Sequence, residues 1–150
     1  MARPPQTPTA PYQISALNLP KFSREVSVMA WIEDACGNLL MVRQAQGKRL
    51  WTLPGGKVKA NEKLEAGLKR ELMEELGERV RTCSPIAFFD RPQKRNLTIL
   101  FHVRLSKQKF KLGNTKEIAT VMFKPRPPAN ASPSANYFWQ LRKRGGFGLH

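Results

Sequence analysis

The chain is short of acidic residues, of cysteine and of long apolar stretches. Its 150 residues include 11 Asp and Glu against 26 Lys and Arg, which gives a formal net charge of +15. This excess predicts attraction to polyanions, whether nucleic acid, nucleotides, pyrophosphates or anionic lipid. Two cysteines are too few for a disulfide framework, so we expect a reduced, cytoplasmic protein. Since no apolar run or signal-peptide core stands out, we expect neither a membrane span nor export.

The length fits one domain with one hydrophobic core. Residues 1–23 hold five prolines and little periodicity, which predicts a Pro-rich N-terminal arm. Residues 24–150 would then form the domain. The eight Phe and three Trp of the chain supply apolar surface that a disordered basic protein lacks.

Apolar periodicity and turn residues outline the secondary structure. Residues 26–32 are apolar and partly β-branched, and a turn at 34–38 connects them to residues 39–43 as a hairpin. Further segments have strand character: 51–53, 86–89, 97–105 and 118–123. Helical periodicity covers residues 62–76 and 134–144. This mixture predicts an α/β (α+β) sandwich in which helices cover a mixed sheet.

Acidic residues are scarce overall but concentrated in one segment. Six of the eleven fall within residues 62–78, and on a helix four of these share an arc of about 100°: Glu71, Glu74, Glu75 and Glu78. Neighbouring carboxylates on such an arc repel by about 3 kcal/mol per pair at an effective dielectric near 20. Divalent cations such as Mg²⁺, shared with phosphate oxygens, would relieve that repulsion. The alternative is a solvated helix face compensated by Lys63, Lys69 and Arg70.

The spacing of these residues follows a specific pattern. Gly56 is followed after five residues by Glu62, after seven more by Arg70-Glu71-Leu72, and then by Glu74-Glu75 and Gly77. The pattern resembles the Nudix box of the MutT-like Nudix hydrolase family. The preceding residues, 50–56, also resemble the family's approach to the box. One position departs from it: Glu78 stands where the family has an aliphatic residue, although Gly77 can still end the helix in a left-handed conformation.

The resemblance implies a fold, an activity and a set of roles. The fold would be the family's α/β/α sandwich, with a mixed sheet between helices. The activity would be hydrolysis of a pyrophosphate bond in a nucleoside diphosphate linked to another group, with Mg²⁺ or Mn²⁺ as cofactor. The metal ligands would be the box carboxylates Glu71, Glu74 and Glu75, with the backbone carbonyl of Gly56. Arg70 would orient Glu71 through an ion pair, and Glu62 would have a structural role, such as capping the helix.

Several residues outside the box are further candidates. Lys57, after the Gly-Gly turn, and Arg43, on a facing strand, are candidates for substrate phosphate contacts, with exposed surface as the alternative. The family often adds a carboxylate from outside the box, and Glu117 is the candidate here unless it simply pairs with a lysine. Pro127-Pro128-Ala129-Asn130 resembles a MutT-like segment whose Asn contacts a purine base, which makes Asn130 a substrate-binding candidate. The alternative is a plain loop leading into the last helix.

A second hypothesis competes with hydrolysis. Residues 91–150 hold 13 basic residues against one acid, which favours a basic RNA-binding or regulatory module on the same fold. An enzyme acting on nucleotide-capped RNA ends would combine both hypotheses. The sequence leaves open which nucleotide is the substrate and whether the protein is a monomer or a homodimer.

Overall fold

The computed structural model describes residues 24–108, 110 and 116–147. The predicted arm at residues 1–23 lies outside them. The elements follow in chain order: β1 (Glu25–Trp31), β2 (Leu39–Gln44), β3 (Trp51–Thr52), β4 (Gly55–Lys57), α1 (Leu64–Leu76), β5 (Val80–Arg91), β6 (Asn96–Leu105), β7 (Ile118–Lys124) and α2 (Pro133–Lys143). A single 3₁₀ turn at Pro92–Lys94 separates β5 from β6.

The strands form two sheets. The first has the order β4-β1-β6-β5, in which β1 and β6 run parallel and the other pairs are antiparallel. The second has the order β3-β2-β7 and is antiparallel. The parallel pairing joins β1 to β6 from Glu25 opposite Asn96 to Trp31 opposite His102. This parallel pair forms the centre of the first sheet.

The core divides into two clusters on opposite faces of the strands. Because side chains alternate along a strand, Val28, Ala30 and Ile32 of the first sheet face α1, whereas Trp31 faces α2. The second sheet alternates in the same way. α1 packs through its leucines at 68, 72 and 76, and α2 through Ala135 and Phe138. The predicted α+β sandwich between two helices is therefore confirmed.

Two local predictions were wrong. The strands at 26–32 and 39–43 do not form one hairpin: β1 and β2 lie in different sheets and share only the bridge between Glu33 and Leu39. Both sides of β1 are already occupied, by β4 and β6. The strand β3 ends before Pro54, and Gly55 and Gly56 then begin the separate strand β4. β5 is also much longer than predicted, because Pro85 is tolerated at a bulge on this edge strand.

The ends of the helices are well defined. α1 ends at Leu76, where Gly77 adopts a left-handed conformation and donates its N–H to the Met73 carbonyl, as predicted. Ser132 caps α2 by accepting the N–H of Ala135 and also bonds the hydroxyl of Thr52, with 2.9 Å between the two oxygens. The second contact ties the start of α2 to β3. Within the described residues, neither helix is long and apolar enough to cross a membrane.

Phe138 should be a principal anchor of α2, because its side chain is fully buried between the helix and the sheet. Phe138→Ala is expected to lower the free energy of unfolding by about 3–5 kcal/mol. Phe88→Ala is the matched control, since that ring is 62% exposed, and should cost less than about 1 kcal/mol. Urea unfolding of both variants measures the difference. Equal losses would show that α2 is held by other contacts.

Candidate active site

Two glycines bring the strand β4 against both β1 and α1. Gly55 has φ of 146°, and a Cβ there would overlap the backbone carbonyl oxygen of Val28. Its N–H donates to Oε2 of Glu75 at 3.1 Å. Gly56 lies against the carboxylate of Glu71, whose Cδ would be 2.5 Å from a Cβ added to Gly56. The Gly-Gly pair thus lets two carboxylates of α1 approach the backbone of the sheet.

Arg70 holds the carboxylates in place. Its Nε and Nη2 donate to both oxygens of Glu62, each at 2.9 Å, in a two-point contact. Nη1 donates to Oε1 of Glu71 at 2.8 Å and reaches Glu74 at 3.5 Å. Nη2 also donates to the backbone carbonyl of Lys57 at 3.0 Å. The predicted ion pair between Arg70 and Glu71 is present, and the same guanidinium joins the start of α1 to β4.

Glu62 acts on Arg70 and not as a helix cap. The cap position of α1 is Lys63, which makes no side-chain cap bond, so the helix begins two residues later than predicted. Glu62 accepts the backbone N–H of Lys59 at 3.0 Å in addition to the Arg70 contacts. The hydrogen bonds from Arg70 hold the pKa of Glu62 down to about 2. Glu62 therefore stays ionised and fixes the guanidinium.

Glu71 and Glu75 are carboxylates in a poorly solvated place. Glu75 is 5% exposed, and burial raises its pKa to about 8, with the charges of Glu71, Glu117 and Glu74 adding to the shift. Burial also raises the pKa of Glu71, although Arg70 opposes that shift. When Arg70 is the only cation nearby, the raised pKa values of Glu71 and Glu75 favour partial protonation of this pair of carboxylates.

The other helix carboxylates are placed differently. Glu74 lies on the same side of α1 as Glu71 and is about half exposed. Glu78 does not share the arc predicted for it, because α1 ends at Leu76 and Glu78 follows the Gly77 turn. Met73 of the same helix is 43% exposed and faces solvent.

The candidate residues outside α1 lie on four different segments of the chain. Glu117 precedes β7, and its charge raises the pKa of both Glu71 and Glu75, so it belongs to the same electrostatic cluster. Arg43, on β2, directs its Nε toward the Arg49 carbonyl at 3.4 Å. Lys57 extends from β4 and pairs with Glu25 at 2.7 Å. Asn130 is exposed, and its backbone carbonyl accepts the Trp51 N–H at 3.1 Å.

The carboxylates line one side of a site and do not enclose it. Within residues 24–108, 110 and 116–147, no three acidic, histidine or cysteine side chains are placed to hold a metal ion by themselves. An ion that uses oxygen ligands could complete its coordination with backbone carbonyls, water or a phosphate group. The carboxylates of α1 therefore place negative charge next to the backbone of β4, which strand pairing holds in place.

Sequence reasoning identified the box but missed the part played by Gly55. Its positive φ, its close approach to Val28 and its N–H bond to Glu75 depend on pairing between β4 and β1. The doubled glycine was the available signal, because adjacent glycines mark places where two backbones approach closely.

Comparison with known proteins agrees with this geometry. The family profile described as NUDIX domain matches residues 23–138, most of the chain. The chain belongs to the Nudix hydrolase family.

Individual relatives are more distant. A 44-residue stretch is 50% identical to a protein named 8-oxo-dGTP diphosphatase from Buchnera aphidicola subsp. Schizaphis graminum. That stretch covers 27% of this chain and only 34% of the relative. A MutT NUDIX hydrolase from Burkholderia pseudomallei superposes with a TM-score of 0.70 at 18% identity, over 79% of this chain and 97% of the other. A Nudix family member from Chromobacterium violaceum gives 0.68 at 20% identity, over 84% and 80%. These two likenesses show the fold.

Substitution of the two glycines should separate folding from site geometry in this Nudix protein. Gly55→Ala forces a Cβ into backbone at a left-handed φ, so we expect a loss of about 3 kcal/mol or more in the free energy of unfolding. Gly56→Ala meets only the end of the Glu71 side chain, which can rotate away, so the loss should stay below about 1.5 kcal/mol. Chemical denaturation compares them. The reverse order would contradict the assigned contacts.

The raised pKa of Glu75 predicts how stability varies with pH when no metal is bound. The carboxyl binds its proton more tightly in the folded state than in the unfolded chain, where its pKa is near 4.5. Its stabilising contribution is therefore complete below pH 4.5 and is lost as pH rises toward about 8. In EDTA, the melting temperature should fall over this window, and Glu75→Gln should flatten the fall. Glu65→Gln, an exposed site on the same helix, should leave it unchanged; a flat wild-type profile would refute the assignment.

Proposed function

We propose that the protein is a divalent-metal-dependent pyrophosphohydrolase. It cleaves the phosphoanhydride bond of a nucleoside diphosphate linked to another moiety, such as a nucleoside triphosphate or a related nucleotide. The observation that carries this proposal is the pair of carboxylates, Glu71 and Glu75, held against Gly55 and Gly56 by backbone packing. Carboxylates that served only to keep the helix soluble would face solvent and would not lie against the Gly-Gly pair.

The donor set fits a hard divalent cation. Carboxylate and carbonyl oxygens are the ligands that Mg²⁺ and Mn²⁺ use, and burial with mutual repulsion leaves these groups short of positive charge. Glu71, Glu74 and Glu75 would hold the metal, with Glu117 and the backbone carbonyl of Gly56 as further ligands. When bound, the metal would neutralise charge on the phosphoryl oxygens and lower the pKa of the attacking water.

The chain's own residues supply positioning and a proton acceptor. Arg70 fixes the orientation of Glu71, and Glu62 fixes Arg70 in turn. One of the carboxylates Glu71, Glu74 and Glu75 accepts the proton of the attacking water, directly or through a second water. Because the accepting oxygen is held by packing, the water can be aligned with the bond to be cleaved before the reaction begins.

Substrate recognition is assigned to residues around this centre. Lys57 extends from β4 next to the Gly-Gly pair, and Arg43 lies on β2; both would contact phosphate oxygens. Asn130 would contact the base, since its turn is fixed by the bonds between Trp51 and the start of α2. A nucleoside triphosphate is a reasonable first substrate, because the relative with 50% identity over 44 residues is named for hydrolysing one.

The burial of Glu71 and Glu75 favours hydrolysis over RNA binding as the primary function. A binding module has no chemical need for Glu71 and Glu75 at a poorly solvated position, and no contact among the described residues favours RNA over nucleotides.

A cytoplasmic location agrees with the two free thiols, Cys36 and Cys83.

Loss of either buried carboxylate should abolish hydrolysis. Glu71→Gln and Glu75→Gln keep the shape of the side chains but remove charge, so we expect kcat/KM to fall by about 100-fold or more. Glu74→Gln should also be nearly inactive, while Glu65→Gln should match the wild type. A nucleotide panel with Mg²⁺, Mn²⁺ or EDTA, detecting phosphate and pyrophosphate separately, measures this. Turnover that survives EDTA and both substitutions would defeat the proposal.

Arg70 should influence hydrolysis by positioning the carboxylates that it contacts. Arg70→Lys keeps the charge but cannot reach both oxygens of Glu62 and also Glu71. The Mg²⁺ concentration for half-maximal activity should rise by about 10–100-fold, with a smaller change in the rate at saturating metal. A purely structural role would lower the melting temperature without changing the metal requirement.

A further inference from the structure

A cavity of about 390 Å³ lies away from the carboxylate helix. It is bounded by the carboxyl ends of β1 and β6, the start of β5 and the last turn of α2. Three of its lining residues, Ile32, Val103 and Leu105, are apolar but belong to the core cluster that packs against α1, so they expose little surface. The cavity is therefore mostly polar, with a rim built from four separate elements.

The rim is rich in arginine. Arg81 comes from β5, Arg104 from β6 and Arg142 from α2. Within the part of the chain that the structure describes, none of the three guanidinium groups makes an ion pair or a side-chain hydrogen bond. Three guanidinium groups without an ion pair outnumber the two carboxylates of the same cavity, Glu33 and Asp34, and therefore favour an external anion.

The acidic residues of the same cavity are already engaged. Glu33 accepts the indole N–H of Trp31, with 2.6 Å between the heavy atoms. Asp34 accepts the backbone N–H groups of Cys36 and Asn38 and the side-chain amide of Asn38. These bonds hold the two carboxylates within the turn between β1 and β2. Among the described residues neither carboxylate forms an ion pair with the three arginines, so the cavity keeps an excess of one positive charge.

His102 adds a neutral hydrogen-bonding group. Burial and the nearby Arg104 hold the pKa of its imidazole below the ordinary value, so the ring is uncharged at neutral pH. A neutral imidazole both donates and accepts a hydrogen bond. The cavity thus offers charged donors and a neutral imidazole along the same lining.

The cavity is distinct from the candidate active site. The Gly55-Gly56 pair lies opposite Met29 and Val28, whereas the cavity begins at Ile32. Three to four residues separate these points, or about 10–13 Å along the chain. None of the cavity's lining residues belongs to the carboxylate cluster or to its candidate substrate contacts.

We propose that this cavity binds a phosphate monoester of mononucleotide size. The phosphate would be held by Arg81, Arg104 and Arg142, and the rest of the ligand would fill the remaining volume of the cavity. The volume decides the size of the ligand: it falls in the range of small-molecule pockets, whereas an inorganic phosphate ion would leave most of it unfilled. The site would operate independently of the hydrolytic centre.

Calorimetric titration of the full chain with AMP tests the proposal. EDTA in the buffer removes metal-dependent binding at the carboxylate helix. We expect saturable binding of AMP, with adenosine and inorganic phosphate each at least about tenfold weaker. Arg104→Gln should weaken AMP at least about tenfold, whereas the exposed control Arg144→Gln, with the same loss of charge, should change affinity less than twofold.

A second control locates the site. Lys57→Gln alters the candidate active site and should leave AMP affinity unchanged. Amide chemical shifts on addition of AMP should move at Ala35 and Val103, which line the cavity. Absence of AMP binding overturns the proposal, as does an equal effect of Arg104→Gln and Lys57→Gln. Equal affinity for inorganic phosphate and AMP overturns the assignment of a mononucleotide. Arg81→Gln, on an exposed strand end, replaces Arg104→Gln if the latter does not fold.

Discussion

The clamp made by Arg70 is the interaction on which the arrangement of the site depends. One guanidinium contacts Glu62 before the helix, Glu71 within it and the Lys57 carbonyl on the adjoining strand. It therefore fixes the helix rotation and the position of β4 together. The same group offsets part of the repulsion that arises when folding brings several carboxylates to one place. Arg70 does not offset all of this repulsion, because the pKa of Glu75 remains raised.

The glycine pair supplies the second constraint. Side chains at positions 55 and 56 would push β4 away from β1 and from Glu71. The carboxylates are held by backbone packing on one side and by Arg70 on the other, so their shortage of positive charge is built into the fold. A divalent cation would relieve that shortage and, once bound, would attract phosphate. The net positive charge of the chain, set around this negative centre, would favour approach of an anionic substrate.

Much of this could be predicted from the sequence because the box residues are local. Their spacing placed the helix, its glycine end and the Arg70-Glu71 pair. The failures involve contacts between distant segments. Nothing near residue 34 shows that β1 will pair with β6 and β4 and leave β2 to another sheet. Periodicity could not show that Glu62 would bind Arg70, or that Glu78 would lie beyond the helix. The arginine cavity was equally hidden, since its three arginines lie on separate elements.

The central claim is that the α1 carboxylates form a divalent-cation site, and Mn²⁺ binding tests it most directly. Electron paramagnetic resonance measures free Mn²⁺ during titration of the purified chain. We expect at least one saturable site per chain, lost in the double variant Glu71→Gln with Glu75→Gln and retained in Glu65→Gln. Saturable binding that survives in the double variant, or no saturable binding in the wild type, would contradict it.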